Sequence, residues 1–141
     1  MSGSIGAAGS DQRIAAVVAE GASHRTAADK AGYLPDGLDG GIQRLLDRLT
    51  YGLTDLLTPA APPMALHDAI ARATGRPFLL IAAGRVADES RATAYLRGAA
   101  PDRVQVWTAA GASHTHALSA HPAEWEARVI AFLDAALAVP P

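Results

Sequence analysis

The sequence contains no cysteine, which excludes disulfide bonds and thiolate metal sites and fits a reducing compartment. Only 5 % of its 141 residues are aromatic although half are apolar, so small aliphatic side chains must build most of the core. The net charge of −2 gives no electrostatic reason to expect a nucleic-acid partner. No apolar run approaches the roughly 18 residues of a membrane span, and residues 1–4 lack the basic start of a signal peptide. We therefore expect a cytoplasmic protein without a membrane span.

The sequence predicts a central buried strand over Phe78–Ala82. This apolar run follows Pro77 and is closed by Gly84. Continuous apolar runs bounded by turn residues are typical of strands that are buried on both faces of a parallel sheet. Asp88 and Glu89 follow at the carboxyl end of this strand, the edge at which open α/β sheets place their ligand and catalytic groups.

The remaining elements alternate in type along the chain. We predict a strand over residues 14–19, a loop over 24–41, helices over 42–57 and 64–74, a helix over 89–97, a strand over 103–108 and a helix over 122–138. Strands alternating with helices predict an α/β fold with a short, mainly parallel sheet of about three strands flanked by helices. We expect one domain over residues 1–141.

The helix over 42–57 has a strong apolar stripe on one side. We call this set the leucine stripe, and its members are Ile42, Leu45, Leu46, Leu49, Leu53, Leu56 and Leu57. Their spacing of three and four predicts an amphipathic helix with Arg44, Asp47 and Arg48 outside. The stripe is interpreted as core or cap packing, with a partner-binding or dimer face as the alternative.

With these elements in order, the chain resembles the carboxyl-terminal half of an α/β-hydrolase, of the dienelactone-hydrolase-like and esterase-like kind. The residues that carry the resemblance are Ser4-Ile5-Gly6-Ala7, as the tail of a G-x-S-x-G elbow, the strand around 13–22, P-F-L-L-I-A-A-G with Asp88, and Gly111-Ala-Ser-His114 before the last helix. Ser, Asp and His occur in the chain order of that fold. The segment 42–74 stands where such enzymes carry a helical cap.

The resemblance implies serine-type hydrolysis of a small ester or similar carbonyl substrate without a cofactor or a metal. Ser4 would be the nucleophile, His114 the general base and Asp88 the acid that orients the imidazole. The backbone N–H of Ile5 would be one oxyanion donor. Two alternatives stay open within this scheme: His116 for His114, and Glu89 for Asp88.

The elbow departs from the family pattern at two places. Ser2 occupies the position of its first glycine, and the strand that normally precedes the nucleophile has no counterpart before Ser4. A strained elbow depends on that strand, so we expect this short, truncated chain to be weakly active or inactive. The alternative function is a non-catalytic remnant that acts as an interaction or dimerisation module, because an exposed sheet edge favours self-association.

Overall fold

The structure is a computed structural model that describes residues 2–59 and 61–138. Its elements in chain order are α1 (Ser2–Ala8), β1 (Val17–Glu20), α2 (Ala27–Tyr33), α3 (Leu38–Leu57), α4 (Leu66–Arg72), β2 (Phe78–Ala83), α5 (Ala87–Gly98), β3 (Val104–Ala109), α6 (Ala117–Ala120) and α7 (Pro122–Leu137). None of the helices in these two ranges is both long enough and apolar enough to cross a membrane.

The three strands form one parallel sheet in the order β1-β2-β3. Val17 pairs with Phe78, and Phe78 pairs with Val104. All of β2 is buried, as the unbroken apolar run predicts. The sheet is parallel because each strand is joined to the next by at least one helix, which returns the chain to the starting edge.

Helices cover both faces of this sheet. Side chains of α1, α4 and α5 pack with Phe78 and Leu80 on one face, and those of α6 and α7 pack with Leu79 and Ile81 on the other. Neighbouring residues of β2 serve opposite faces because side chains alternate along a strand. The predicted α/β class with a three-stranded parallel sheet flanked by helices is confirmed.

The loop predicted over 24–41 is wrong, because α2 occupies Ala27–Tyr33. Thr26 and Asp29 form a capping box, in which the Thr26 hydroxyl accepts from the N–H of Asp29 and the Asp29 carboxylate accepts from the N–H of Thr26. The glycines and the proline that suggested a loop lie at 32 to 41, at the end of α2 and the start of α3. These turn-forming residues outweighed the capping box at Thr26 and Asp29, the helix signal that precedes them.

The carboxylate of Asp29 also holds α4 in place. It is fully buried and accepts from the N–H groups of Leu66 and His67 at 2.9 and 3.2 Å. These N–H groups belong to the first turn of α4, and N–H groups at this position have no carbonyl partner within their own helix. One buried side chain thus satisfies the amino ends of two helices.

The helix α3 is present as predicted, but it is attached by its polar side. Asp47 is only 9 % exposed and accepts from Lys30 Nζ at 2.8 Å, and Arg44 donates to the carbonyl of Leu34 at 3.0 Å. The prediction that these two side chains face outward is wrong. The leucine stripe is 52 to 81 % exposed, so it is not part of the core of this chain.

The other predicted elements are confirmed with small shifts in their bounds. The helix predicted over 89–97 is α5, which begins two residues earlier, and β3 and α7 match their predicted ranges closely. The first strand begins three residues later than predicted, at Val17.

Candidate active site

The candidate site lies at the carboxyl edge of the sheet, where the ends of β2 and β3 are held together by Gly84. The N–H of Gly84 donates to the carbonyl of Ala109 at 2.8 Å. A Cβ at this position would lie 2.7 Å from the same carbonyl oxygen, so only glycine permits the contact. The next residue, Arg85, donates its N–H to the carbonyl of Ala112 at 3.0 Å. The turn after β2 is therefore fixed against the loop that carries His114.

Glu89 is the buried acid of the site. It lies in the first turn of α5, where the helix dipole favours a negative charge, and it is 2 % exposed. Its Oε2 accepts from the N–H of Ala83 at 2.7 Å, and its Oε1 lies 2.5 Å from Nδ1 of His114. Both carboxylate oxygens thus have a partner, as a buried charge requires.

His114 is presented by a strained loop. Thr115 has φ of 56°, which is rare for a β-branched residue. Its hydroxyl donates to the carbonyl of His114 at 2.8 Å. Left-handed backbone at a non-glycine residue costs on the order of 1–2 kcal/mol and tends to occur at functional sites.

Gly21 packs closely against the imidazole of His114. It follows β1, has φ of 66° and donates its N–H to the carbonyl of Ile81 at 3.0 Å. A Cβ on Gly21 would lie 2.8 Å from Cε1 of His114. Residues at the ends of all three strands therefore lie around His114. The sequence pattern gave no indication that Gly21 would be one of them.

The arrangement fixes the chemistry of the imidazole. Because Glu89 accepts at Nδ1, the proton of the neutral ring lies there and Nε2 is left as an acceptor. The side chain of His114 is 63 % exposed, whereas that of Glu89 is 3 % exposed. A buried carboxylate behind a solvent-facing imidazole is the arrangement that a general base needs.

The structure does not join Asp88 to His114. The Asp88 carboxylate is exposed and lies 2.5 Å from the guanidinium of Arg91, one turn further along α5. Successive residues of a helix point about 100° apart, so only one of Asp88 and Glu89 can face the sheet. Glu89, the alternative acid, is the one that contacts His114.

Ser4 and Ile5 both lie inside α1. Ser4 is exposed, and the side chain of Ile5 is fully buried in the core. The hydroxyl of Ser2 donates to the carbonyl of His24 at 3.3 Å, which places the start of α1 beside the residues that follow β1. The His114 imidazole contacts Glu89, on α5, whereas Ser4 lies on α1.

His116 and His121 each contact a backbone carbonyl. Nδ1 of His116 lies 2.6 Å from the oxygen of His114, and Nε2 of His121 lies 2.6 Å from that of Ala110. The part of the chain that the structure describes contains no group of three or more histidine, aspartate or glutamate side chains that could hold a metal ion.

A second polar network lies after β1. Nδ1 of His24 is 3.0 Å from the Tyr33 hydroxyl and 3.1 Å from that of Ser23. Burial, with a smaller effect from Lys30, lowers the pKa of His24, and burial raises the pKa of Tyr33 to about 12. His24 looked like a loop residue in the sequence, because its partner Tyr33 lies on the unpredicted helix α2.

Comparison of the chain with protein-family models, with curated proteins and with solved structures finds no match. The geometry at the carboxyl edge of the sheet is therefore the basis for a functional assignment.

Proposed function

We propose that this chain is a serine hydrolase of the α/β-hydrolase type that acts on a small ester or similar carbonyl substrate. In this proposal Glu89 is the acid and His114 is the general base. Ser4 is the nucleophile, and the N–H of Ile5 is one oxyanion donor. The three-stranded sheet then corresponds to the carboxyl-terminal part of the hydrolase fold.

The observation that carries the proposal is the contact of 2.5 Å between Glu89 and His114 at the carboxyl ends of parallel strands. A surface histidine does not need a buried carboxylate, and burying one is costly unless it has partners. Here the carboxylate of Glu89 has the N–H of Ala83 on one oxygen and the imidazole on the other. This pairing supports a role for the acid in orienting the ring and in stabilising the imidazolium that forms during proton transfer.

The reaction would proceed by nucleophilic catalysis. The Ser4 hydroxyl attacks the carbonyl carbon while Nε2 of His114 takes its proton, and that proton passes to the leaving alcohol as the ester bond breaks. A water molecule then attacks the acyl-serine, with His114 again taking and returning a proton, and this step releases the acid and restores Ser4. The start of α1 lies beside the residues that follow β1, through the contact of Ser2 with the His24 carbonyl. The proposal requires the first turn of α1 to present Ser4 to His114 when the substrate is bound.

The test is covalent labelling with a fluorophosphonate probe, which reacts with activated serines. We expect labelling of the chain that is lost in Ser4→Ala and in His114→Ala. Glu89→Gln should slow labelling by about 10²–10⁴-fold, because the amide reverses the ring tautomer or leaves it unheld.

Asp88→Asn is the matched control. It removes the same type of charge one residue away, from a side chain that contacts Arg91 and not His114. It should leave labelling within about twofold, as expected for an exposed ion pair. Equal losses in Asp88→Asn and Glu89→Gln, or no labelling of a folded sample, would refute the proposed mechanism.

A second candidate function is that of an interaction module without catalysis. The exposed leucine stripe of α3 favours it, because contiguous apolar surface on a monomer usually marks a binding site. The stripe lies on α3, whereas the Glu89–His114 pair joins α5 to the loop after β3, so substitutions can test the two candidates separately.

A further inference from the structure

We propose that the leucine stripe of α3 binds the same stripe of a second copy of this chain, in an antiparallel helix pair. The argument starts from how α3 is attached. Its inner side is polar and is held by the Lys30–Asp47 ion pair and by the Arg44 contact with Leu34. Its apolar side faces solvent, which reverses the usual arrangement of an amphipathic helix.

The exposed apolar area suits a protein interface. At roughly 100 Å² for a fully exposed leucine side chain, the six leucines of the stripe between Leu45 and Leu57 present about 400 Å². A standard interface takes about 800 Å² from each partner, of which about 60 % is apolar, or roughly 500 Å². These side chains therefore supply most of the apolar area that one side of a stable dimer contributes.

The spacing along α3 suits a second helix. Leu38, Ile42, Leu45, Leu49, Gly52 and Leu56 follow one another at alternating intervals of four and three. This period of 3.5 residues is the pattern of a two-helix seam, in which each side chain fits between four residues of the facing helix. Such a seam needs a helical partner of the same period, and a copy of α3 provides it.

An antiparallel copy centred near Tyr51 fits both the shape and the charge of this face. It places Leu45 opposite Leu56, and Leu49 opposite Gly52, around which nothing lies within 4 Å of a would-be Cβ. The same register brings Arg48, exposed beside the stripe, near Asp55 of the second copy. Two-fold symmetry forms each of these contacts twice.

The test is sedimentation equilibrium of the whole chain at roughly 1–100 μM, a range that covers micromolar dissociation. We expect a dimer of twice 14.5 kDa that becomes a folded monomer in Leu49→Glu. Leu49→Ala should weaken the dimer by about 100-fold or more, because each substitution removes two buried side chains. Circular dichroism should be unchanged in both variants, since Leu49 is exposed within one chain.

Two further variants make the test specific. Ile130→Glu on α7 changes an apolar residue of similar exposure, 50 % against 61 % for Leu49, away from the stripe and should leave the dimer intact. Arg48→Asp should weaken the dimer by about tenfold through like charges, and the combined Arg48→Asp, Asp55→Arg variant should restore it.

The contrary outcomes are equally distinct. A monomer at about 100 μM, or a dimer that survives Leu49→Glu, overturns the proposal, and the latter result would point to an edge strand of the sheet, β1 or β3, instead. Failure of the charge exchange to restore association overturns the antiparallel register. A monomer that floats with neutral phosphatidylcholine vesicles through the stripe would show that a lipid surface, and not a second copy, covers it.

Discussion

The closeness of Gly21 to His114 leads to a quantitative prediction for Gly21→Ala. The substitution has two separable effects: a left-handed backbone for a residue with a Cβ, and the collision of that Cβ with the imidazole. The first costs about 1–2 kcal/mol of the free energy of unfolding. The second follows from the 2.8 Å that would separate the new Cβ from Cε1 of His114, against an ordinary contact of more than 3.4 Å.

The new Cβ would also lie 3.1 Å from Nδ1 of His114, the atom that contacts Glu89, so we expect the imidazole to shift and this contact to lengthen. The imidazole is 63 % exposed, so nothing on its solvent side prevents the shift. Moving it stretches the contact of 2.5 Å and leaves one oxygen of a buried carboxylate without its partner. A hydrogen bond to a charged group contributes about 1.5–3 kcal/mol, so we expect Gly21→Ala to lower the free energy of unfolding by about 2–5 kcal/mol in total.

Gly75→Ala is the matched control. Gly75 has φ of 74°, close to that of Gly21, but nothing lies within 4 Å of its would-be Cβ. It should lose only the backbone part, about 1–2 kcal/mol. Chemical denaturation measures both variants, and proton NMR of the far-downfield imidazole proton reports the Glu89–His114 bond directly.

The expected result is loss of that proton signal in Gly21→Ala and its retention in Gly75→Ala. If the two variants lose the same stability and both keep the signal, the close approach of Gly21 does not hold the ring. The reasoning about how β1 supports the site would then be refuted.

Two further predictions concern pH and the core. The pKa of His24 is lowered below its ordinary 6.5, mainly by burial, so between the two values the unfolded chain binds more protons. The contribution of His24 to stability should therefore be complete above pH 6.5 and be lost as the pH falls through its folded pKa. Denaturation midpoints measured from pH 8 to 5 should depend less on pH in His24→Asn than in the unchanged chain. An equal dependence on pH in the two proteins would contradict this. Phe78→Ala should lower the free energy of unfolding by about 3–5 kcal/mol, because Phe78 is fully buried on the central strand of the sheet. Ile130→Ala, at a half-exposed position, should cost less than about 1 kcal/mol in the same denaturation assay, and equal losses would contradict the assigned core.

Local patterns in the sequence determined the sheet and most of the helices. A strand that is apolar on both faces is buried only when other layers cover both sides of its sheet, and Phe78–Ala83 is accordingly the central strand. The elements α5, β3 and α7 were likewise predicted from local signals, because the periodicity of each and the residues that bound it are read from its own segment. The helix α2 was missed because a capping box of Thr26 with Asp29 is a weak signal beside four nearby glycines.

The sequence also placed the candidate acid and base at the correct edge of the sheet. His114 after β3 and a carboxylate after β2 follow from strand order alone. The choice between Asp88 and Glu89 does not, because both begin the same helix and only its rotation about its axis selects the one that faces Ala83 and His114.

Tertiary structure alone decided the two features on which the proposals depend. Amphipathic periodicity shows that α3 has an apolar side but is silent on which side meets the body of the protein. Lys30, which is distant in sequence, binds Asp47 and turns the leucine stripe outward. Gly21 likewise meets His114 only because parallel strands bring residues far apart in the chain to one edge, a relation that no local pattern encodes.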